Sequence, residues 1–564
     1  MKQFVHFSLF LFSLYMTACS VESMSTEPES EMSSELMTYA TFTINATTYA
    51  GPKSPLQTKA VADFNPGTTN SGNAATEMDI NPADVRLMIF NDVGMLEYND
   101  LFPSNLQTSV LLTAGLKKIF VFANCGNISG FNTLFDSFTY DNSGPPTTFS
   151  QFYNSAIFDA GVPQQTPFVN KTTTSRTFSI APLHTQTASY GLPASSSNQA
   201  TYMILAGIPQ SVSEAGIPST SEGSATNTFA IDLYFMLAKA RLTYNSSALT
   251  QLKGTTPIAE ITNIRYSIKN LARYTNYVLN VVSGNARSWY YGKTFINSSA
   301  GLPASMPSDH YFNHFDDASN ANVLATVVAI PQTGPFLYVP ESTNSPLTIG
   351  QCPYYSFNVQ YMPKFVVTAV AYNAMATPKI QFTYTDLSSP MEVNKDYVYL
   401  RGEIYGSGGS LEQGTCFKTV DLLRQAAWLS IYGDGWSGTT NQMMEADAII
   451  GTPPPATPTY SQLLDYPFPS YGYYLFTDAQ SWYRVNVGSD VGSIATIPYS
   501  IPKWGTVRGV AYDTNITEFN GPGVPYEWMF GDYDVPDPVE AMTYVSVQTR
   551  VVDWAYTSRS SPAN

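Results

Sequence analysis

The chain has 564 residues, a formal net charge of −16, 12% charged residues and 44% hydrophobic ones. No Lys/Arg cluster occurs in it, so it lacks the basic face that nucleic acid requires, and no nucleic-acid partner is expected. Aromatic residues at 14%, with 38 Tyr, argue against a disordered chain. Together with abundant Thr, Val, Gly and Pro they favour an all-β chain with many turns. The length suggests about two to three domains.

The opening "MKQFVHFSLFLFSLYMTACS" has one early Lys, an apolar run and a small-residue step before Cys19. It reads as a secretory signal, too short to act as a membrane span. Met16-Thr17-Ala18-Cys19 resembles the bacterial lipobox, with Met16 where an aliphatic residue is usual. That resemblance implies lipidation of Cys19. Residues 20–35 hold five Glu and no basic residue, the composition of a solvated tether. Cys125, Cys352 and Cys416 are widely spaced with no C-x-x-C. They read as buried thiols, and no zinc site is expected.

A strand is expected over 38–48, with Ala40, Phe42, Ile44 and Ala46 on one face and Thr41, Thr43 and Asn45 on the other. A loop follows. "DVRLMIFNDVGMLEYN" reads as strand, turn at Asn91–Gly94 and strand, and "LKKIFVFANCG" and "NQATYMILAGIPQ" as further strands. Residues 130–195 are polar, with one short helix expected near Thr148–Ala160.

A second set of strands begins near residue 231 with "FMLAKARLTYN" and "ITNIRYSIKNL". It continues through "ANVLATVVAIP", "FLYVPES", "KFVVTAVAYN", "KIQFTYTD" and "DYVYLRGEIYG", and "GSGGSLEQG" (406–414) reads as a break. Short strands separated by turns mean sandwiches or barrels. Residues 411–540 hold Trp428, Trp436, Trp482, Trp504 and Trp528 and a Pro-dense run. They read as an aromatic, Pro-rich insertion in the C-terminal domain, or as a small third domain. The chain closes on a strand over 541–556, in which Val545, Val547, Thr549 and Val551 share one face. The domain reading is therefore a leader over 1–19, a tether over 20–35, a first β-domain over 36–236 and a second over 237–564.

No catalytic constellation emerges. His184 is isolated. His310 and His314 stand four apart near Asp316 and Asp317, without the Glu of a metalloprotease helix. Asp532, Asp534 and Asp537 have a calcium-loop rhythm but lack the loop's central Gly and final Glu. "GDGWSGTTN" (433–441) lacks the order of a nucleophile elbow. No enzyme, metal or cofactor is expected.

Several short strings, in order, resemble the fimbrillin family of lipoprotein fimbrial subunits. They are "TKA" (58–60), "DINPADVRLMIFNDVGML", "KKIFVFANCG", "LAKARLTYN", Tyr338-Val339-Pro340-Glu341, "MEVNKDYVYLRGEIYG" and "YVSVQTRVVDW". The resemblance spans roughly 36–410 and 541–556 and fails over 411–540. It implies two transthyretin-like β-sandwich domains and a surface fimbria. It also implies a first strand, carrying Phe42 and Ile44, that a trypsin-like protease removes. A strand from another copy or a related subunit then fills the place, the donor candidate here being Val545, Val547, Thr549 and Val551. Partners would be related subunits, the protease, and the outer membrane through the lipid until maturation.

The physics permits this, because a strand lost from a sheet leaves unpaired backbone groups that another strand can satisfy. Between Cys19 and Arg86 the only basic residues are Lys53 and Lys59. The expected cut is Lys59–Ala60, with Lys53–Ser54 the alternative. The competing readings are that both strands are ordinary edges of their own domains, and that the chain is a fimbria-borne or lipid-anchored adhesin binding glycan or protein through the aromatic 411–540 insertion, with Trp436 and Trp482 the residues to test. A glycan-scavenging surface lipoprotein is a third.

Overall fold

The computed structural model describes residues 37–45, 83–125, 131–140, 144–155, 157–159, 168–172, 178–180, 199–203, 205–207, 210–212, 228–269, 271–272, 274–276, 311–312, 325–326, 328–329, 337–340, 353–388, 395–457, 472–488, 505–506, 510–530 and 545–553. Strand is the dominant element throughout them, so the chain is all-β, with a few helices.

The first unit is built from β1 (Met37–Asn45), β2 (Val85–Phe90), β3 (Leu96–Leu101), β4 (Gln107–Thr113) and β5 (Lys117–Ala123). Two short helices follow, α1 (Phe131–Asp136) and α2 (Phe149–Ser155), the second inside the expected window. Strands β6 (Leu205–Gly207), β7 (Gln210–Val212) and β8 (Thr228–Phe235) complete it. They form one eight-stranded sheet in the order β3-β2-β5-β6-β8-β1-β4, with β7 also on β5. The sheet curls until its two end strands meet. Thr113 of β4 donates to the Glu97 carboxylate of β3, and Lys117 Nζ reaches the same carboxylate at 2.7 Å. The turn at Asn91–Gly94 forms as read, closed by Gly94 N–H to Asn91 C=O at 3.0 Å, with Gly94 at φ 82°.

Inside the curl lies a core rich in phenylalanine. Phe90, Phe120, Phe122, Phe135 and Phe152 are all buried and meet at ring-centroid distances of 5.0–6.4 Å. The mostly tilted and edge-on pairs add about 0.5–1.5 kcal/mol each beyond area burial.

The second unit opens with β9 (Ala238–Tyr244), β10 (Thr250–Lys253), β11 (Thr256–Lys269) and β12 (Tyr354–Pro363). The chain then builds a third sheet from β13 (Val366–Tyr372), β14 (Ile380–Thr385) and β15 (Tyr397–Leu400). A small hairpin follows, β16 (Ile404–Gly406) and β17 (Gly409–Leu411), then β18 (Cys416–Phe417). Two helices come next, α3 (Val420–Tyr432) and α4 (Thr440–Ile450), and β19 (Tyr473–Phe476) closes the third sheet in the order β14-β13-β18-β15-β19. Only then does the chain return with β20 (Gln480–Asn486), β21 (Val510–Phe519) and β22 (Val545–Asp553).

The returning strands are integral to the second unit. β20 joins the sheet β10-β11-β12-β20, and β21 lies between β9 and β22 in a separate sheet. The segment 411–540 is thus divided rather than set apart. Its first part makes helices α3 and α4 and two strands of the third sheet, β18 and β19, and its second part supplies β20 and β21 to the main core. Tyr483, Tyr512, Ile516 and Phe519 are buried there with Leu242, Ile261 and Phe357. The stretch at 406–414 is no break either, since it forms the β16–β17 hairpin.

The third sheet has two apolar faces, as the alternation of β19 shows. Tyr474 and Phe476 point into the main core, and Tyr473 and Leu475 face α3. Helix α3 buries Leu423, Ala426, Ala427 and Ser430, the i, i+3, i+4, i+7 stripe of an amphipathic helix. Thr419 caps its N-terminus by accepting from Leu422 N–H, and α4 begins on a capping box of Thr439 and Gln442.

Candidate functional site: the seat of the first strand

β1 does not lie at an edge. It runs parallel to β8 on one side and antiparallel to β4 on the other. Strand order places β4 at the end of the sheet, paired in ladder with β1 alone among the described residues. Taking β1 away would unpair β8 and β4 together.

The expected alternation holds. Ala40, Phe42 and Ile44 are buried in the first core, and Ala46 lies outside the described residues. Phe42 stands opposite Phe229 in the ladder, and the two rings stack at 5.6 Å with planes 28° apart. Ile44 faces Ile231, and its N–H donates to Leu106 C=O at 3.1 Å. On the other face Thr41 and Ser109 hydroxyls share a hydrogen bond of 2.8 Å. Burying Phe42 and Ile44 is worth about 1.5–3 kcal/mol each.

β22 is nine residues long, as is β1. Among the described residues it is an edge strand, antiparallel to β21 alone. Val545 is buried in the second core and Val547 packs partly against it. The Thr549 hydroxyl lies 3.2 Å from that of Thr514, and Val551 stands opposite Tyr512 in register. The two strands therefore occupy separate cores, and the structure does not bring them together. Cys19, Lys53, Lys59 and Ala60 lie outside the described residues, as do His184, His310, His314, Asp532, Asp534 and Asp537.

The chain is similar to fimbrial and cell adhesion proteins of solved structure. A fimbrilin (FimA) from Porphyromonas gingivalis is matched at 10% identity and a TM-score of 0.33, over 92% of this chain and 97% of that one. A candidate cell adhesion protein from Parabacteroides distasonis is matched at 10% identity and 0.38, over 92% and 98%. The tip fimbrial protein Mfa3 of P. gingivalis is matched at 9% identity and 0.30, over 92% and 99%. No family model and no curated protein matches.

Among the described residues no group of three or more His, Cys, Asp and Glu could hold a metal ion, and no helix is long and apolar enough to cross a membrane. Cys125 and Cys416 are buried. Burial pushes the Cys416 thiol up to about 12.

The two tryptophans read as recognition candidates differ in setting. Trp482 is paired inside β20 with Asn358 and packs on the main core, which makes it structural. Trp436 sits on the loop between α3 and α4, half-buried beside Trp428 with ring centroids 6.0 Å apart. The helices that carry this loop were missed at the sequence level, although Thr419, the α3 stripe and the Thr439/Gln442 box were all legible.

Proposed function

We propose that this chain is a structural subunit of a cell-surface fimbria of the fimbrillin type, with no enzymatic role. In this reading it is exported as a lipoprotein on Cys19 and held at the outer membrane. A trypsin-like protease cuts it after Lys59, β1 leaves, and a strand of another subunit takes the vacated place. Residues Val545, Val547, Thr549 and Val551 of β22 are the donor side chains.

The seat of β1 is the observation that carries the reading. A strand held from both sides leaves a slot with two hydrogen-bonding walls and an apolar floor, which supplies affinity through the backbone and register through alternate side chains. The ordered sequence resemblance supports the family. The slot also specifies direction, since an occupant must run parallel to Thr228–Phe235 and antiparallel to Gln107–Thr113 to use the same ladders.

A Lys-specific protease tests it. Purified precursor treated with the enzyme should lose the residues up to 59 and run as a ladder of multimers. A trimmed chain that stays monomeric overturns the proposal. Deleting 540–564 should leave a trimmed chain that accepts a strand but cannot donate one; polymerisation that survives the deletion removes β22 as the donor.

A further inference from the structure

The corner where α3 ends and α4 begins plays no part in strand exchange. The chain reverses there through Gly433-Asp434-Gly435-Trp436-Ser437-Gly438, with Gly433 at φ 92° and Gly435 at φ 79°. Three aromatic side chains gather at this point. Trp428 and Tyr432 rings lie 4.2 Å apart between centroids, and Trp436 is 6.0 Å from Trp428. None is buried, and Tyr432 is 49% exposed. Trp428 Nε1–H is already used, donating to Asp434 C=O at 3.2 Å. Trp428 therefore offers its ring rather than its donor to a ligand.

The charged residues between Tyr432 and Ala446 are both acidic. Asp434 lies on the loop, and Glu445, one turn into α4, rests against the Tyr432 hydroxyl. Both are exposed, and neither has a basic partner among the described residues. The last turn of α3 carries no basic residue to offset the negative end of its dipole. The nearest arginine on the helix, Arg424, is taken by Asp421 and Asp447 at 2.7 Å each. The ring positions are held independently of any ligand, because Gln442 accepts from Ser437 N–H at 2.8 Å and donates to Gly435 C=O at 2.8 Å.

We propose that this corner is a binding site for a cationic side chain, an arginine or lysine presented by a partner protein. Aromatic faces attract a cation through their quadrupole, and two exposed carboxylates without a basic partner among the described residues supply charge complementarity and faster encounter. An anionic ligand would meet only repulsion here. A neutral sugar could stack on the rings but would draw nothing from the charge.

Fluorescence anisotropy on the full chain tests this with three labelled probes: a tetra-arginine peptide, a tetraglycine peptide and a neutral maltotetraose. The arginine peptide should bind and the other two should not, and its affinity should fall as salt rises. The pair Asp434→Asn/Glu445→Gln, both on exposed side chains, should weaken binding about tenfold, as should Trp436→Ala. Unchanged affinity in either variant overturns the site. Binding of the oligosaccharide in preference to the peptide reassigns it to sugar, and no binding by any probe refutes it.

Discussion

Arg241 and Asp513, 272 residues apart, face each other in the parallel β9–β21 ladder and are joined by two hydrogen bonds of 2.9 and 3.0 Å. Their side chains are only 5% and 6% exposed. A buried pair of this kind adds little over an apolar replacement, but half of it is costly to leave behind. Asp513→Asn should destabilise the second unit by about 3–5 kcal/mol, whereas Arg241→Met with Asp513→Leu should come close to wild type. Denaturant midpoints of the three chains check this, and equal losses in the single and double variants would reject it.

Phe42 fills the floor of the β1 seat. Phe42→Ala removes its stack on Phe229 and should destabilise the first unit by about 3–5 kcal/mol. If β1 is later discarded, the same substitution should make its release easier and multimers should form sooner after proteolysis. Thermal melting and a timed gel read the two effects separately, and a slower ladder contradicts the expectation.

Helix α3 ends against the β16–β17 hairpin. Ser407 N–H donates to Ile431 C=O at 3.3 Å and Gly408 N–H to Ser430 C=O at 2.9 Å, so a turn of backbone caps the helix. A Cβ on Gly408 would stand 1.8 Å from the Leu429 carbonyl oxygen, whereas one on Gly402 would meet nothing within 4 Å. Gly408→Ala should lower the melting temperature of the third sheet and its helices, and Gly402→Ala should leave it unchanged. Equal melting of the two variants would count against the cap.

Several groups in the second unit are held neutral by burial. Desolvation, the first cause in each case, raises the phenols of Tyr355, Tyr361 and Tyr397 well above their ordinary 10 and the Cys416 thiol from 9.0 to about 12. All four are uncharged when protonated and have a higher folded than unfolded pKa. Their contribution is complete below about pH 9 and is lost as pH rises toward the folded values. Stability should therefore decline steadily above pH 9. The Tyr397 hydroxyl has no hydrogen-bond partner among the described residues. Tyr397→Phe should stabilise by about 1 kcal/mol and flatten the alkaline decline. A steeper decline in that variant would oppose the assignment.

Much of the strand pattern was legible, because alternation is a local property. Ala40, Phe42 and Ile44 announced their face without any knowledge of their neighbours. What alternation cannot carry is which strand lies beside which. Nothing in "TYATFTINA" says that β1 sits inside the sheet rather than at its edge. That depends on β8, nearly two hundred residues away. The 411–540 segment was misread for a different reason. Its prolines and glycines drew attention from two short helices whose caps, Thr419 and Thr439, were visible. The Gly-rich run at 406–414 looked like a linker because its glycines serve contact with a helix that had not been recognised. In the site itself, the burial of Phe42 and Ile44 was readable and the two-sided slot was not.

The pairing of β9 with β21 has a consequence for the order in which the molecule takes shape. β9 ends at Tyr244; one side of it pairs with Val328–Ala329 and Leu337–Val339, and β21, on its other side, does not begin until Val510. A chain that emerges N-terminus first completes β8 of the first unit at Phe235, before β9 begins at Ala238. Such long-range closure is slow. The first unit can settle early, and β9 must wait with an open side until more than two hundred and sixty further residues have followed. A chain truncated at residue 470 should contain one folded unit and one that has yet to close.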